Sequence, residues 1–254
     1  MSFLVIKNLN ITNKKLLLLE NINFELKKGE VLGIIGESGS GKSLLCKTIL
    51  NLTPSNLNAK GNILLEKQEI LNSSCNIRGK KIAVILQEAI NAFDPMYKIG
   101  AQILESLEEK NKKKAKEIAL SWLEKMDIKD SKKVFESYPN ELSGGQLQRV
   151  MIAIALAQDT PLIIADEPTS SLDVITQRKL LEIFKNLKNK TLIFISHDLA
   201  LVSKLANKIL VIKKGKSIEY NQCETIFNNP QSEYTKHLIK TRKELSQRFL
   251  SCLK

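Results

Sequence analysis

An α/β fold, with a mostly parallel sheet, an antiparallel N-terminal β-subdomain and an inserted α-helical subdomain, is predicted by three features of the sequence. Buried-strand patterns alternate with helix formers towards both ends of the chain, as expected of a sheet with helices packed on it. The glycine-rich run Gly36 to Ser43 lies between a strand pattern and a helix pattern. Ile99 to Ala157, rich in Leu, Glu, Lys and Ala at helical spacing, interrupts the alternation as one long block.

Phe3 to Lys7 and Asn23 to Leu26 are β-type runs separated by a polar turn around Asn13 to Lys15, which predicts a small antiparallel sheet. Val31 to Ile35 is a buried-strand pattern ending at Gly36, and Leu44 to Leu50 is a good helix former. Ile82 to Leu86 predicts another strand. The helical block that follows has breaks near Asp127 to Lys133 and at Pro139. Strand and helix then alternate through Leu162 to Ala165, Val174 to Leu187, Thr191 to Ser196, Leu199 to Ala206 and Ile209 to Lys213. Residues 1–254 are expected to form a single domain. Its core is residues 1–88 and 160–254, and residues 89–159 are the helical insertion. The Lys/Arg-rich tail beyond Lys240 is expected to be a terminal helix, and no internal repeat or low-complexity linker is visible.

At 254 residues the chain can bury a substantial core without staples. Cys46, Cys75, Cys223 and Cys252 are far apart and form no C-x-x-C pair, so neither a disulfide framework nor a zinc site is indicated, which fits a reducing cytosol. The N-terminus reaches Lys7 before any long apolar run and lacks a basic leader, so no export signal is expected. Met151 to Ala157 is the longest apolar run and falls far short of the roughly 20 residues that span a bilayer, so a soluble chain is expected. The net charge of +12 suits an acidic partner, either nucleic acid or an anionic membrane face. The basic runs, such as Lys112 to Lys114, carry no interleaved aromatics for base stacking, which favours solvated lysine faces and no nucleic acid.

Gly36-Glu37-Ser38-Gly39-Ser40-Gly41-Lys42-Ser43 matches G-x-x-x-x-G-K-[ST] in the strand–helix context its chemistry needs. Glycines let the backbone curl so that successive N–H groups face phosphate oxygens, and the helix N-terminus adds its positive dipole end. Lys42 then holds the β- and γ-phosphates and the Ser43 hydroxyl binds Mg²⁺. A second anchor for the metal is offered by the apolar run Leu162 to Ala165, which ends in Asp166 and Glu167. Asp166 is expected to reach the metal. Glu167, pointing to the other side of an extended chain, is expected to act as general base on the attacking water.

Leu142-Ser143-Gly144-Gly145-Gln146 resembles, letter for letter, the signature of ATP-binding-cassette (ABC) ATPases. Chemically it is another anion site, a serine hydroxyl and two glycine amides opening a helix. The resemblance extends over essentially the whole chain and implies a P-loop NTPase fold with ATP and Mg²⁺ as ligands. It also implies head-to-tail pairing with a second ABC ATPase subunit, so that one P-loop and the other's signature enclose each ATP. Under it Gln87 touches the metal or water, His197 contacts the γ-phosphate, and Ser171-Leu172-Asp173 supplies a dimer contact at Asp173. Two integral membrane permease subunits, and indirectly an extracytoplasmic solute-binding protein, are implied as partners at the cytoplasmic face of the plasma membrane.

Asn91-Ala92-Phe93-Asp94-Pro95 with Ile99-Gly100-Ala101-Gln102-Ile103 resembles the segment after the glutamine loop in peptide and nickel importers. Asn229-Pro230, Tyr234-Thr235 and Leu238 are similar to the C-terminal motif of that group. Tyr138-Pro139 and Ile164 to Thr169 most resemble nickel-import ATP-binding subunits, and the longer peptide-importer subunits carry a C-terminal extension that this sequence lacks. Nickel uptake is the expected role. Oligopeptide or dipeptide import is the alternative, followed by a soluble ABC ATPase on ribosomes or DNA, which would need a second cassette or a long coiled coil that the spacing from Ser43 to Asp166 leaves no room for. A nucleotide-binding module without turnover is disfavoured by Glu167 and His197. One departure from the family stands out: Leu9 to Asn21 contains no aromatic to stack on adenine. Weak discrimination between ATP and GTP is the expected consequence.

Overall fold

The computed structural model describes residues 2–187 and 189–241. By contacts the chain divides into two compact units, Met1–Cys75 with Ile193–Lys254, and Asn76–Leu192.

The first unit is built on β1 (Ser2–Asn13), β2 (Leu16–Lys27), β3 (Val31–Ile35), α1 (Lys42–Ile49), β4 (Asn58–Leu65) and β5 (Gln68–Glu69). β1 and β2 form an antiparallel hairpin closed at Asn13↔Leu16, and β4 flanks β1 on its other side. Both strands run well past the predicted Phe3 to Lys7 and Asn23 to Leu26. Asparagine is the reason. Asn8 (φ 50°) and Asn21 (φ 49°) take left-handed conformations that Asn tolerates, and the register shifts between Ile6 and Leu9. The Asn23 and Asn10 side chains accept the N–H groups of Asn8 and Asn21 at 2.8 and 2.9 Å, so the bulges leave those donors satisfied. The inward faces of the hairpin, Leu4, Ile6, Leu9, Ile11, Leu19, Ile22 and Leu26, are fully buried, each worth about 1.5–3 kcal/mol of transfer free energy.

The unit is completed by α7 (Leu199–Leu205), β9 (Lys208–Lys213), β10 (Lys216–Gln222) and α8 (Cys223–Asn228), and residues 233–241 are helical. The chain re-enters this unit within β8 (Thr191–Ile195). Strand order in the unit is β5-β4-β1-β2-β10-β9-β3-β8. β3 runs parallel to β9, with Ile35 opposite Val211, whereas β9 and β10 form an antiparallel pair. β3 lies deep in the sheet, its residues Leu32 to Ile35 all buried. The basic tail predicted as a helix beyond Lys240 lies, from residue 242 on, outside the described residues.

The second unit pairs β6 (Ile82–Ile85) in parallel with β7 (Leu162–Asp166), Ile85 opposite Ala165. Thr160 ties the two together, accepting the N–H of Ala83 at 3.0 Å. Between them come α2 (Ile99–Ser106), α3 (Lys112–Lys125), α4 (Ser131–Glu136) and α5 (Gly144–Ala157), and α6 (Val174–Lys185) follows β7. The break predicted near Asp127 is a helix end: Met126 closes α3 and Asp127 turns left-handed at φ 61°. α5 is the most buried helix of the unit, its Leu147, Val150, Met151, Ile152, Ala153, Ala155 and Leu156 all covered. No helix among the described residues is long and apolar enough to cross a membrane.

Candidate functional site

In the first unit the phosphate loop leaves the end of β3. A Cβ at Gly36 would lie 2.1 Å from the carbonyl oxygen of Ile212, so the backbone of the loop's first residue presses directly on β9. The loop ends at Gly41, which takes φ 107° as the N-cap of α1 and offers no side chain to the helix. The first-turn N–H groups of α1 therefore have no side-chain cap, as an anion site requires. The Lys42 ammonium folds back over the loop and donates to the carbonyls of Gly36 at 3.0 Å and Glu37 at 2.7 Å. Ser40 and Lys42 are buried, whereas Glu37, Ser38 and Gly39 are exposed and Ser43 is half-buried. The Ser40 Oγ has no hydrogen-bond partner among the described residues, leaving a polar atom inside the loop. His197 follows β8 in the same unit and is exposed, and the next residue, Asp198, caps α7 through the N–H groups of Ala200 and Leu201.

In the second unit β7 ends on Asp166, and both Asp166 and Glu167 are buried, each at 8% exposure. Glu167 does not continue the extended chain as the sequence predicts. It sits at φ 49°, in the left-handed region that costs a non-glycine residue roughly 1–2 kcal/mol, because the chain turns there and the Ser170 N–H reaches back to the Glu167 carbonyl at 3.2 Å. The backbone leaves the extended conformation at Glu167, so strand alternation does not set the direction of its side chain. Gln87 is exposed just beyond β6. The Gln148 side chain, fully buried on α5, donates to the carbonyls of Leu86 and Pro168, both at 3.3 Å. One amide thus joins the residue before Gln87 to the residue after Glu167. Sequence reasoning misses Gln148; its only signal is a polar residue among the apolar positions of α5.

The signature residues open α5. Ser143 and Gln146 form a reciprocal cap: the Ser143 Oγ accepts the Gln146 N–H at 3.3 Å and the Gln146 Oε1 accepts the Ser143 N–H at 2.9 Å. One of the serine's two acceptor lone pairs is used inside the helix, and its O–H can still donate. Ser143 and Gly144 are exposed, Leu142, Gly145 and Gln146 are half-buried, and a Cβ at Gly144 would meet nothing within 4 Å. Gly145 backs onto the Ser171 carbonyl, 3.3 Å from where its Cβ would stand. Asp173 caps α6 with both carboxylate oxygens, taking the Thr176 N–H at 2.9 Å and the Thr176 hydroxyl at 2.7 Å. The Thr176 amide, ahead of the hydroxyl, holds the Asp173 carboxyl below the usual aspartate range.

The donors fit Mg²⁺-ATP. In the first unit an uncapped helix end with a lysine ammonium suits phosphate and the Ser43 hydroxyl is a hard oxygen donor; in the second unit the Gln87 amide and Asp166 carboxylate oxygens are donors of the kind Mg²⁺ takes.

A family model described as ABC transporter matches residues 19–170, more than half of the chain. The chain belongs to the ABC transporter family. Its fold is the ABC ATPase cassette, and its reaction is ATP hydrolysis coupled to transport. The cassette is 42% identical to the metal-staphylopine import system ATP-binding protein CntD of Staphylococcus aureus, over 98% of this chain and 96% of that protein. It is 38% identical to the oligopeptide transport ATP-binding protein AmiE of Streptococcus pneumoniae, over 95% of this chain and 72% of that one. Among solved structures it resembles the dimeric post-hydrolysis state of the ATP-binding cassette MJ0796 bound to ADP and Pi, with a TM-score of 0.77 and 28% identity, covering 87% of this chain and 98% of that chain.

Proposed function

We propose that this cassette is the ATPase subunit of an importer, pairing with a second ATPase and two permeases at the cytoplasmic face of the membrane and energising uptake of a metal cargo, nickel or its chelate. The observation that carries the reading is that the chain has two helix ends suited to one triphosphate: α1, with no side-chain cap and with Lys42 beside it, and α5, whose neutral cap and open Gly144 face outward. In this reading Lys42 and the N-terminus of α1 grip the phosphates of one ATP. The Ser143 hydroxyl and Gly145 amide of the partner subunit's signature grip the same molecule from the opposite side. Ser43, Gln87 and Asp166 would hold Mg²⁺, which would supply charge neutralisation at the phosphate oxygens. Glu167 takes the proton of the attacking water, and His197 contacts the γ-phosphate.

Binding to both helix ends favours the closed pair, and loss of the γ-phosphate releases it, so closure is differential affinity for one state. Glu167→Gln keeps the shape and hydrogen-bonding reach of the side chain but cannot accept the proton. It is expected to bind ATP normally, lose turnover by about 100-fold or more, and accumulate the closed dimer on size exclusion. Unchanged turnover would assign the base elsewhere.

The metal cargo is supported by the metal-staphylopine import relative, which aligns over nearly the full length of both chains. Oligopeptide import is the second reading, supported by AmiE at comparable identity. Uptake of radiolabelled nickel, free and chelated, compared with uptake of labelled oligopeptides in cells with and without this cassette, separates the two. Loss of peptide uptake alone overturns the metal reading.

A further inference from the structure

The segment after β10 carries the Asn229-Pro230, Tyr234-Thr235 and Leu238 pattern, which has no part in the chemistry above. Its packing is specific. The Glu219 carboxylate, on β10, accepts the N–H groups of Gln231 at 3.0 Å and Ser232 at 3.2 Å. Burial works to raise the Glu219 pKa, but these amides and the nearby hydroxyls outweigh it and hold the carboxyl below its ordinary value. The Ser232 Oγ accepts the Thr235 N–H at 2.9 Å and lies 2.7 Å from the fully buried Thr235 Oγ1, which fixes the start of the helix at 233–241.

Tyr234 is thereby aimed at the phosphate loop. The Lys213 ammonium, at the end of β9, stands 4.2 Å from the centroid of its ring. Its hydroxyl accepts the backbone N–H of Glu37 at 3.3 Å. That N–H belongs to the same planar peptide as the Gly36 carbonyl, and the Gly36 carbonyl accepts the Lys42 ammonium at 3.0 Å. One rigid peptide therefore has Tyr234 on one side and the phosphate-gripping lysine on the other, while Gly36 is pressed on β9 beneath it.

We propose that Tyr234 is a positioning residue for nucleotide binding: its hydroxyl fixes the Gly36–Glu37 peptide and through it the resting place and reach of Lys42. The C-terminal segment is then part of the phosphate site and not only a cover for the sheet. The phenol stays neutral in this role, since burial pushes its pKa up. The proposal rests on the reading that Lys42 grips the phosphates, so Lys42→Ala is measured alongside; if that variant binds ATP as the wild type does, that reading fails first and independently.

The test is Tyr234→Phe in the full chain, which keeps the ring over Lys213 and removes only the hydroxyl. Losing one such bond is expected to weaken binding of ATP and of inorganic triphosphate by the same factor, about fivefold. Turnover at saturating ATP is expected to stay within about twofold, and Tm within about 2 °C. In the Lys42→Ala background the same change is expected to add nothing. Four results would each overturn the proposal: unchanged affinity for both ligands, a loss for ATP but not triphosphate, an undiminished loss without Lys42, or a loss that tracks a falling Tm.

Discussion

The N-termini of α1 and α5 make opposite use of the same physics. Every α-helix begins with N–H groups that lack intrahelical partners; α3, α6 and α7 satisfy some of them with the side chains of Asn111, Asp173 and Asp198, whereas α2 has no side-chain cap. α1 has no such side chain because its N-cap is Gly41. α5 is capped, but by a neutral serine whose hydroxyl can still donate. A carboxylate cap satisfies a helix end and also repels phosphate, whereas a glycine or serine leaves the end open to an anion. α6 and α7 carry carboxylate caps, whereas the ends that carry the loop and signature motifs have a glycine and a serine and add no negative charge.

Putting a carboxylate on α5 breaks that comparison most directly. Ser143→Asp retains an N-cap of equal quality and improves the match to the helix dipole, so Tm is expected to hold or rise. Turnover is expected to fall by about 100-fold or more, because the charge meets the γ-phosphate at the closed interface. ATP binding to the isolated chain, which uses α1, is expected to be unaffected. Ser143→Ala supplies the contrast: loss of the cap costs about 1 kcal/mol and lowers Tm by roughly 2–4 °C. If Ser143→Asp turned over ATP normally, the α5 end would be a capped helix and nothing more.

A site that reads phosphate through α1 need not read the base. The hairpin tip that precedes the loop offers Leu16 at 64% and Leu17 at 42% exposure and no aromatic ring between Leu9 and Asn21. Aliphatic side chains bury a purine without distinguishing its edges, so the ratio of kcat/KM for ATP over GTP is expected to be below tenfold, less than about 1.4 kcal/mol. A steady-state comparison of the two nucleotides decides this. A ratio above ten would mean that a group elsewhere reads the adenine.

What the sequence made legible is contiguous chemistry. Gly36 to Ser43 and Leu142 to Gln146 carry their function in adjacent residues, and the cassette fold follows from strand and helix periodicity around them. Roles that arise from bonds between distant residues were not legible. Gln148 reads as one more residue of an apolar helix until its amide is seen to join Leu86 to Pro168. Tyr234 reads as a motif letter until its hydroxyl reaches Glu37. The predicted strands stop at Lys7 and start at Asn23, yet bulges at Asn8 and Asn21 let the hairpin continue past both. The left-handed turn at Glu167 was hidden for the same reason, since backbone strain of this kind is imposed by the surrounding contacts and not by the residue itself.

The smallest expected effect concerns the helix end that does carry a charge. The folded-state pKa of Asp173 is depressed by the Thr176 amide and hydroxyl, so its charge contributes stability above the unfolded value of about 3.8 and loses it as pH falls through the folded value. Asp173→Asn keeps the capping oxygen and removes only the charge. Because Asp173 is exposed, the wild type is expected to exceed the variant by only about one to two degrees in Tm near neutral pH, with the gap closing below about pH 4. Thermal melts of both proteins between neutral pH and pH 3 measure it. A gap that is the same at both ends of that range would assign the cap to hydrogen bonding alone. In that case a carboxylate on a helix end would matter here only for the anion it keeps away.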